Sequence, residues 1–120
     1  FKFHLDRYKY ATRYKNVDAE LHRSKCLKIL VGLEKIASDT NWIFGEKINK
    51  LDISILPFIR QYRIADPSWF DCQEDIKKLQ NILNSFLESK LFKDIMHAYD
   101  VWKKNSKPVY FPITNYLDDL

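Results

Sequence analysis

Glycine and proline are scarce in this chain, with two and four among 120 residues. That scarcity excludes collagen-like, glycine-rich and low-complexity architectures. Gly32 and Gly45 stand apart, so no phosphate-cradling loop can be assembled and nucleotide-dependent catalysis is not expected. Cysteine is equally rare. Cys26 and Cys72 lie 46 positions apart without a Cys-x-x-Cys pair, which indicates neither a disulfide framework nor a zinc ribbon and points to a reducing, cytoplasmic setting. Uncharged apolar runs are short. Residues 29–33 and 53–59 fall far below the ~20 residues a membrane span needs, and no signal-peptide pattern opens the chain. The expectation is a soluble protein with no membrane partner.

What is present suits one folded unit. Apolar residues make up 46% of the chain and charged ones 30%, enough for one domain that buries roughly two thirds of its extended-chain surface. We read residues 1–120 as a single helical domain, with a helical core over about 1–103 and an irregular tail over 104–120. Phe1 opens the chain and Met96 is the only methionine, so further sequence before Phe1 is expected. Charge is uneven: residues 1–60 carry 12 Lys or Arg against 7 Asp or Glu, residues 61–120 carry 8 against 9. Basic residues spread through an amphipathic helix usually form its solvated face, so no nucleic-acid partner is expected.

Apolar residues recur at intervals of three and four, which predicts an all-α fold, an orthogonal bundle of about five helices. A first helix is expected from Phe1 to about Tyr14. Asp18 reads as the N-cap of a second helix. Its apolar stripe runs through Cys26, Ile29, Leu30, Leu33, Ile36 and Ala37, widened by Leu27 and Val31, and predicts a helix central to the bundle or shared with a partner subunit. Asn49 and Asp52 have the spacing of a capping box, with Ile48 and Ile53 placed as a hydrophobic staple. The helix they open is apolar nearly all round and is expected in the middle of the domain, bent at Pro57. Asp66-Pro67 marks a boundary. A helix over about 73–87 and a last one, capped by Ser89 and reaching Tyr99, complete the set. Val109 to Pro112 are expected to fold back over the bundle.

Few groups suggest chemistry. His22 and Cys26 share one side of a helix but lack a third ligand, so no metal site is expected. Ser, His and Asp occur without a nucleophile turn, and no catalytic residue is assigned. His4 and His97 read as isolated surface or boundary histidines. Phe3, Arg7, Tyr10 and Tyr14 fall on one side of the first helix, and Phe1, Leu5 and Tyr8 on another. One set can feed the core while the other lines a groove for an apolar ligand with a polar or anionic handle, or packs against a neighbouring domain.

The run Ile43-Phe44-Gly45, then Asn49-Lys50-Leu51-Asp52-Ile53, then residues 55–61 (Ile-Leu-Pro-Phe-Ile-Arg-Gln) resembles the carboxy-terminal helical domain of cytosolic glutathione S-transferases. That family has a Ser/Thr-x-x-Asp box, and Asn49 stands here in place of the hydroxyl residue. Residues 5–10 and 86–92 are similar to stretches of bacterial members, and the resemblance covers about residues 1–103. It implies an amino-terminal thioredoxin-like domain, absent from this chain, that binds glutathione as co-substrate. It also implies a homodimer, and a role for this domain in selecting a small hydrophobic electrophile for conjugation or thiol transfer. On that reading Phe3, Arg7, Tyr10 and Tyr14 form the substrate wall, Asn49 and Asp52 serve folding, and this domain alone binds no cofactor. Similar helical domains also serve as noncatalytic protein–protein interaction modules, and that alternative stays open.

Overall fold

A computed structural model describes residues 1–110. Among them the chain forms α1 (Lys2–Lys9), α2 (Ala19–Ile36), α3 (Lys50–Ala65), α4 (Pro67–Asp71), α5 (Lys77–Glu88) and α6 (Lys90–Ile95), with single 3-10 turns at Ala11–Arg13 and Glu74–Ile76. No strand occurs among the described residues beyond one isolated bridge between Trp42 and Gly45. The fold is therefore all-α. α1 packs on α2 and α3, α5 packs on α2, α3 and α6, and α4 packs on α3.

The start of α3 is fixed by its own side chains. Asn49 Oδ1 accepts the N–H groups of Leu51 and Asp52 at 2.9 and 3.3 Å, and Asp52 Oδ2 accepts the Asn49 N–H at 3.0 Å. These are the reciprocal bonds of a capping box. Asp52 is fully buried, and its second oxygen takes the Ile43 N–H at 2.9 Å. Gly45, at φ +146°, permits the tight reversal that points Ile43 toward that carboxylate. Asp18 caps α2 by accepting from Glu20 and Leu21. Asp66 accepts the Trp69 N–H with Pro67 in the first turn of α4. The core is organised around Tyr62, whose ring meets those of Phe1, Tyr8, Trp69 and Phe70 edge-on at 5.6–5.9 Å. Each such pair is worth about 0.5–1.5 kcal/mol beyond its buried area.

Several boundaries differ from expectation. The first helix stops at Lys9 rather than Tyr14, because Leu5 is its only fully buried residue. A short helix without further packing has no tertiary gain from another turn. The expected helix over 73–87 is broken at Ile76 (φ −134°, ψ 34°). Gln80 holds the break in place by donating from Nε2 to the carbonyls of Phe70 and Gln73. The last helix ends at Ile95, not Tyr99. Six α-helices stand where about five were expected. α3 is not surrounded: Leu56, Ile59 and Tyr62 are buried, but Leu51 and Phe58 remain 56% and 40% exposed. The stripe on α2 buries Cys26 and Leu30, with Ala37 buried just past its end, yet leaves Ile29 and Ile36 in solvent. Both helices keep a bare apolar side because their described neighbours cover only the other one. Val109 and Tyr110 are exposed rather than folded back, and the expectation for Phe111 and Pro112 lies outside the described residues.

Candidate functional site

The four residues expected to share one side of the first helix divide into two groups. The guanidinium of Arg7 lies 3.5 Å from the ring centre of Phe3 and 4.5 Å from that of Tyr14, and it donates to the Phe3 carbonyl at 3.2 Å. Cation–π attraction on two faces holds it there. Tyr10 is not part of this stack. The helix ends beside it, at φ −124° and ψ 39°, and its ring turns to Arg13 at 4.2 Å and the Lys9 ammonium at 5.0 Å. Phe3, Tyr10 and Tyr14 are all exposed. They form a surface of alternating cations and ring faces, available to an anionic or aromatic group.

Two apolar hollows flank α3. One, of about 260 Å³, lies between α2 and α3 and is lined by Phe1, Ile29, Leu33, Ile55 and Phe58, among others. The other, of about 480 Å³, lies between α3 and α6 and is bordered by Ile53, Phe58, Phe86, Leu91, Ile95 and Met96. Phe58 belongs to both, so the two join into one apolar face. A hollow of about 630 Å³ is bounded only by residues of the coil between Tyr99 and Tyr110. No helix contributes a rigid wall to it, which makes it a poor scaffold for specific binding.

Neither a protein-family model, nor a curated protein, nor a solved structure matches this chain.

Burial works against nucleophilic use of the core thiol and phenols. Cys26 is buried beside the Phe1 carbonyl, and burial pushes its thiol up to about 11. Burial also raises Tyr62, whose hydroxyl donates to the Arg23 carbonyl at 2.7 Å, and Tyr8. Both phenols stay protonated at neutral pH. No group of three or more His, Cys, Asp or Glu is placed to hold a metal among the described residues. His22 and Cys26 do not converge on an open site, because the Cys26 sulfur faces inward.

One constellation escaped sequence reasoning. His4, read above as isolated, faces His22 across the α1–α2 interface with the two Nδ1 atoms 2.8 Å apart. The Phe3 ring stands edge-on to both imidazoles, at 5.1 and 6.0 Å. Eighteen positions separate the two histidines, and no local periodicity links them. His97 has a neighbour too, the Tyr99 ring at 5.0 Å.

Proposed function

We propose that this chain is the carboxy-terminal helical half of a glutathione transferase, with Phe3, Arg7 and Tyr14 forming one wall of the electrophile site. The observation that carries the reading is the buried Asp52 within the Asn49 box, set behind the Ile43-Phe44-Gly45 turn in the order the family resemblance calls for. The bare apolar face on α2 and α3 supports it further, since such a face is suited to cover by another domain or subunit. In this proposal a thioredoxin-like domain supplies glutathione, whose thiolate attacks an electrophilic carbon or exchanges with a disulfide. The ring faces of Phe3 and Tyr14 hold the apolar body of the co-substrate, and Arg7 attracts its electron-rich end. Tyr10 stacks separately, with Arg13 and Lys9. A homodimer in the cytoplasm is part of the same proposal.

The test compares two proteins in an aryl-halide conjugation assay with glutathione. Residues 1–120 alone should show no turnover, whereas the protein expressed with the sequence preceding Phe1 should conjugate. Arg7→Ala in the longer protein should raise KM for the electrophile about fivefold, equivalent to about 1 kcal/mol of cation–π contact. Absence of both conjugation and thiol transfer in the longer protein would overturn the enzyme reading and leave a noncatalytic interaction module.

A further inference from the structure

We propose that His4 and His22 form a proton-operated latch, which fastens α1 to α2 at neutral pH and opens when the pair takes up its second proton. The latch stands on the geometry of the pair, and only its effect on the Phe3–Arg7–Tyr14 wall rests on the function proposed above. The ring centres lie 5.1 Å apart and the facing nitrogens 2.8 Å. That spacing puts both nitrogens close to the line between the centres, the arrangement of a direct N–H···N hydrogen bond. An in-line metal ion would need each nitrogen about 2.0–2.1 Å away, a separation far wider than the one observed.

The proton count gives the latch its two stages. With both rings neutral, one Nδ1–H donates to the bare Nδ1 of the other. A first proton from solvent can settle on the free Nε2 of the donor ring, and the Nδ1–H···Nδ1 bond survives with its donor now charged. A second proton has only the accepting Nδ1 lone pair to bind. It removes the acceptor and leaves two cations face to face. Where His4 is the accepting ring, the charged groups facing it oppose that step, because all are cations: His22 when protonated, Lys25 on α2, Arg7 on α1 and the Phe1 amino group. α3 meets α1 through Tyr62 against Phe1 and Tyr8 and through Gln61 against Lys9, none of which adds a negative charge near neutral pH. Burial first, and then these charges, hold His4 below the ordinary histidine value.

The consequence reaches the surface of α1. That helix is anchored by one fully buried side chain, Leu5, and by the edge contacts of Phe1 and Tyr8. The Phe3 ring leans on both imidazoles and carries the Arg7 guanidinium on its face. Parting the histidines therefore takes the His22 imidazole, the only one of the two that belongs to α2, away from the Phe3 ring.

Nitrogen-15 NMR of the whole chain between about pH 8 and pH 4.5, a range that brackets the ordinary histidine value, tests this directly. At the upper end one Nδ1 should be protonated and the other bare, and the rings should titrate in two coupled steps. Amide exchange in α1, corrected for its intrinsic pH dependence, should quicken roughly tenfold across the second step, the equivalent of one unit of pKa displacement. His22→Asn should leave His4 with a single step and remove the jump. Independent single-site titration of the two rings, or α1 protection unchanged through the second step, would overturn the latch. So would imidazole signals that change when a chelator is added, which would put a metal between the rings. Conjugation is not read in this experiment, so failure of the functional proposal leaves its outcome distinct.

Discussion

The carboxylate of Asp52 accepts the backbone N–H of Ile43, nine residues earlier, at 2.9 Å. The same side chain takes the Asn49 N–H with its other oxygen. One buried acid thus closes both the first turn of α3 and the loop that leads into it. Burial of such a group is tolerable because backbone donors meet each oxygen.

Removing that acid should cost more than removing its capping partner. Asp52→Ala strips the cap and leaves the Ile43 N–H without its acceptor, for a loss of about 2–4 kcal/mol. Asn49→Ala removes a cap at a partly exposed position and should cost about 1 kcal/mol. Urea unfolding of the two variants checks the order, and equal midpoints would mean that the Ile43 bond contributes nothing.

Glu34 caps a helix that is not its own. Its two oxygens accept the N–H groups of Lys78 and Leu79 at 2.8 and 2.9 Å, where α5 begins without a side-chain cap from its preceding residue. Lys78 reciprocates by donating from Nζ to the Ala37 carbonyl at the end of α2. Glu34→Ala should destabilise the protein by about 1–3 kcal/mol, since charged acceptors on a helix amino end are the stronger kind. Thermal unfolding by circular dichroism gives the measurement.

The two cysteines should separate cleanly by reactivity. Cys72 is exposed, whereas Cys26 is buried with its thiol pushed up to about 11. At pH 8 the thiolate fraction of Cys26 is on the order of one in a thousand. A thiol-specific chromogenic reagent should label Cys72 in the native protein and Cys26 only after denaturant is added. Rapid native labelling of both would place Cys26 outside the core.

Arg63 and Asp71 form a two-pronged pair at 2.8 and 2.7 Å, and the guanidinium holds the Asp71 carboxyl below the usual carboxylate value. The contribution to stability is therefore present above that usual value and is lost as pH falls through the lowered one. Both partners face solvent to a substantial degree, so the gain is under about 1 kcal/mol. Asp71→Asn should lower Tm slightly at pH 7, and the gap between the variant and the parent chain should close in strong acid.

How far the sequence can be read depends on whether the relevant contact is local. The Asn49–Asp52 box spans four residues, and its donors and acceptors are set by the first turn of a helix, so the pattern is visible in the letters. The Asp18 and Ser89 caps and the Asp66-Pro67 start are local in the same way. Tyr10 shows the limit. Helical spacing puts it beside Arg7, but the helix ends at Lys9 and the ring turns to Arg13. Nothing in residues 9–14 signals that stop; it follows from how little of α1 the core covers.

Local periodicity and short-range hydrogen bonding determined that this chain is helical, where its principal caps lie and which residues can face inward. Tertiary packing alone decided that Glu34 caps α5, that His4 meets His22, and that Leu51, Phe58 and Ile36 are left bare. Each of those outcomes depends on which helix lies against which, and contacts across 18 or 45 positions leave no trace in local spacing.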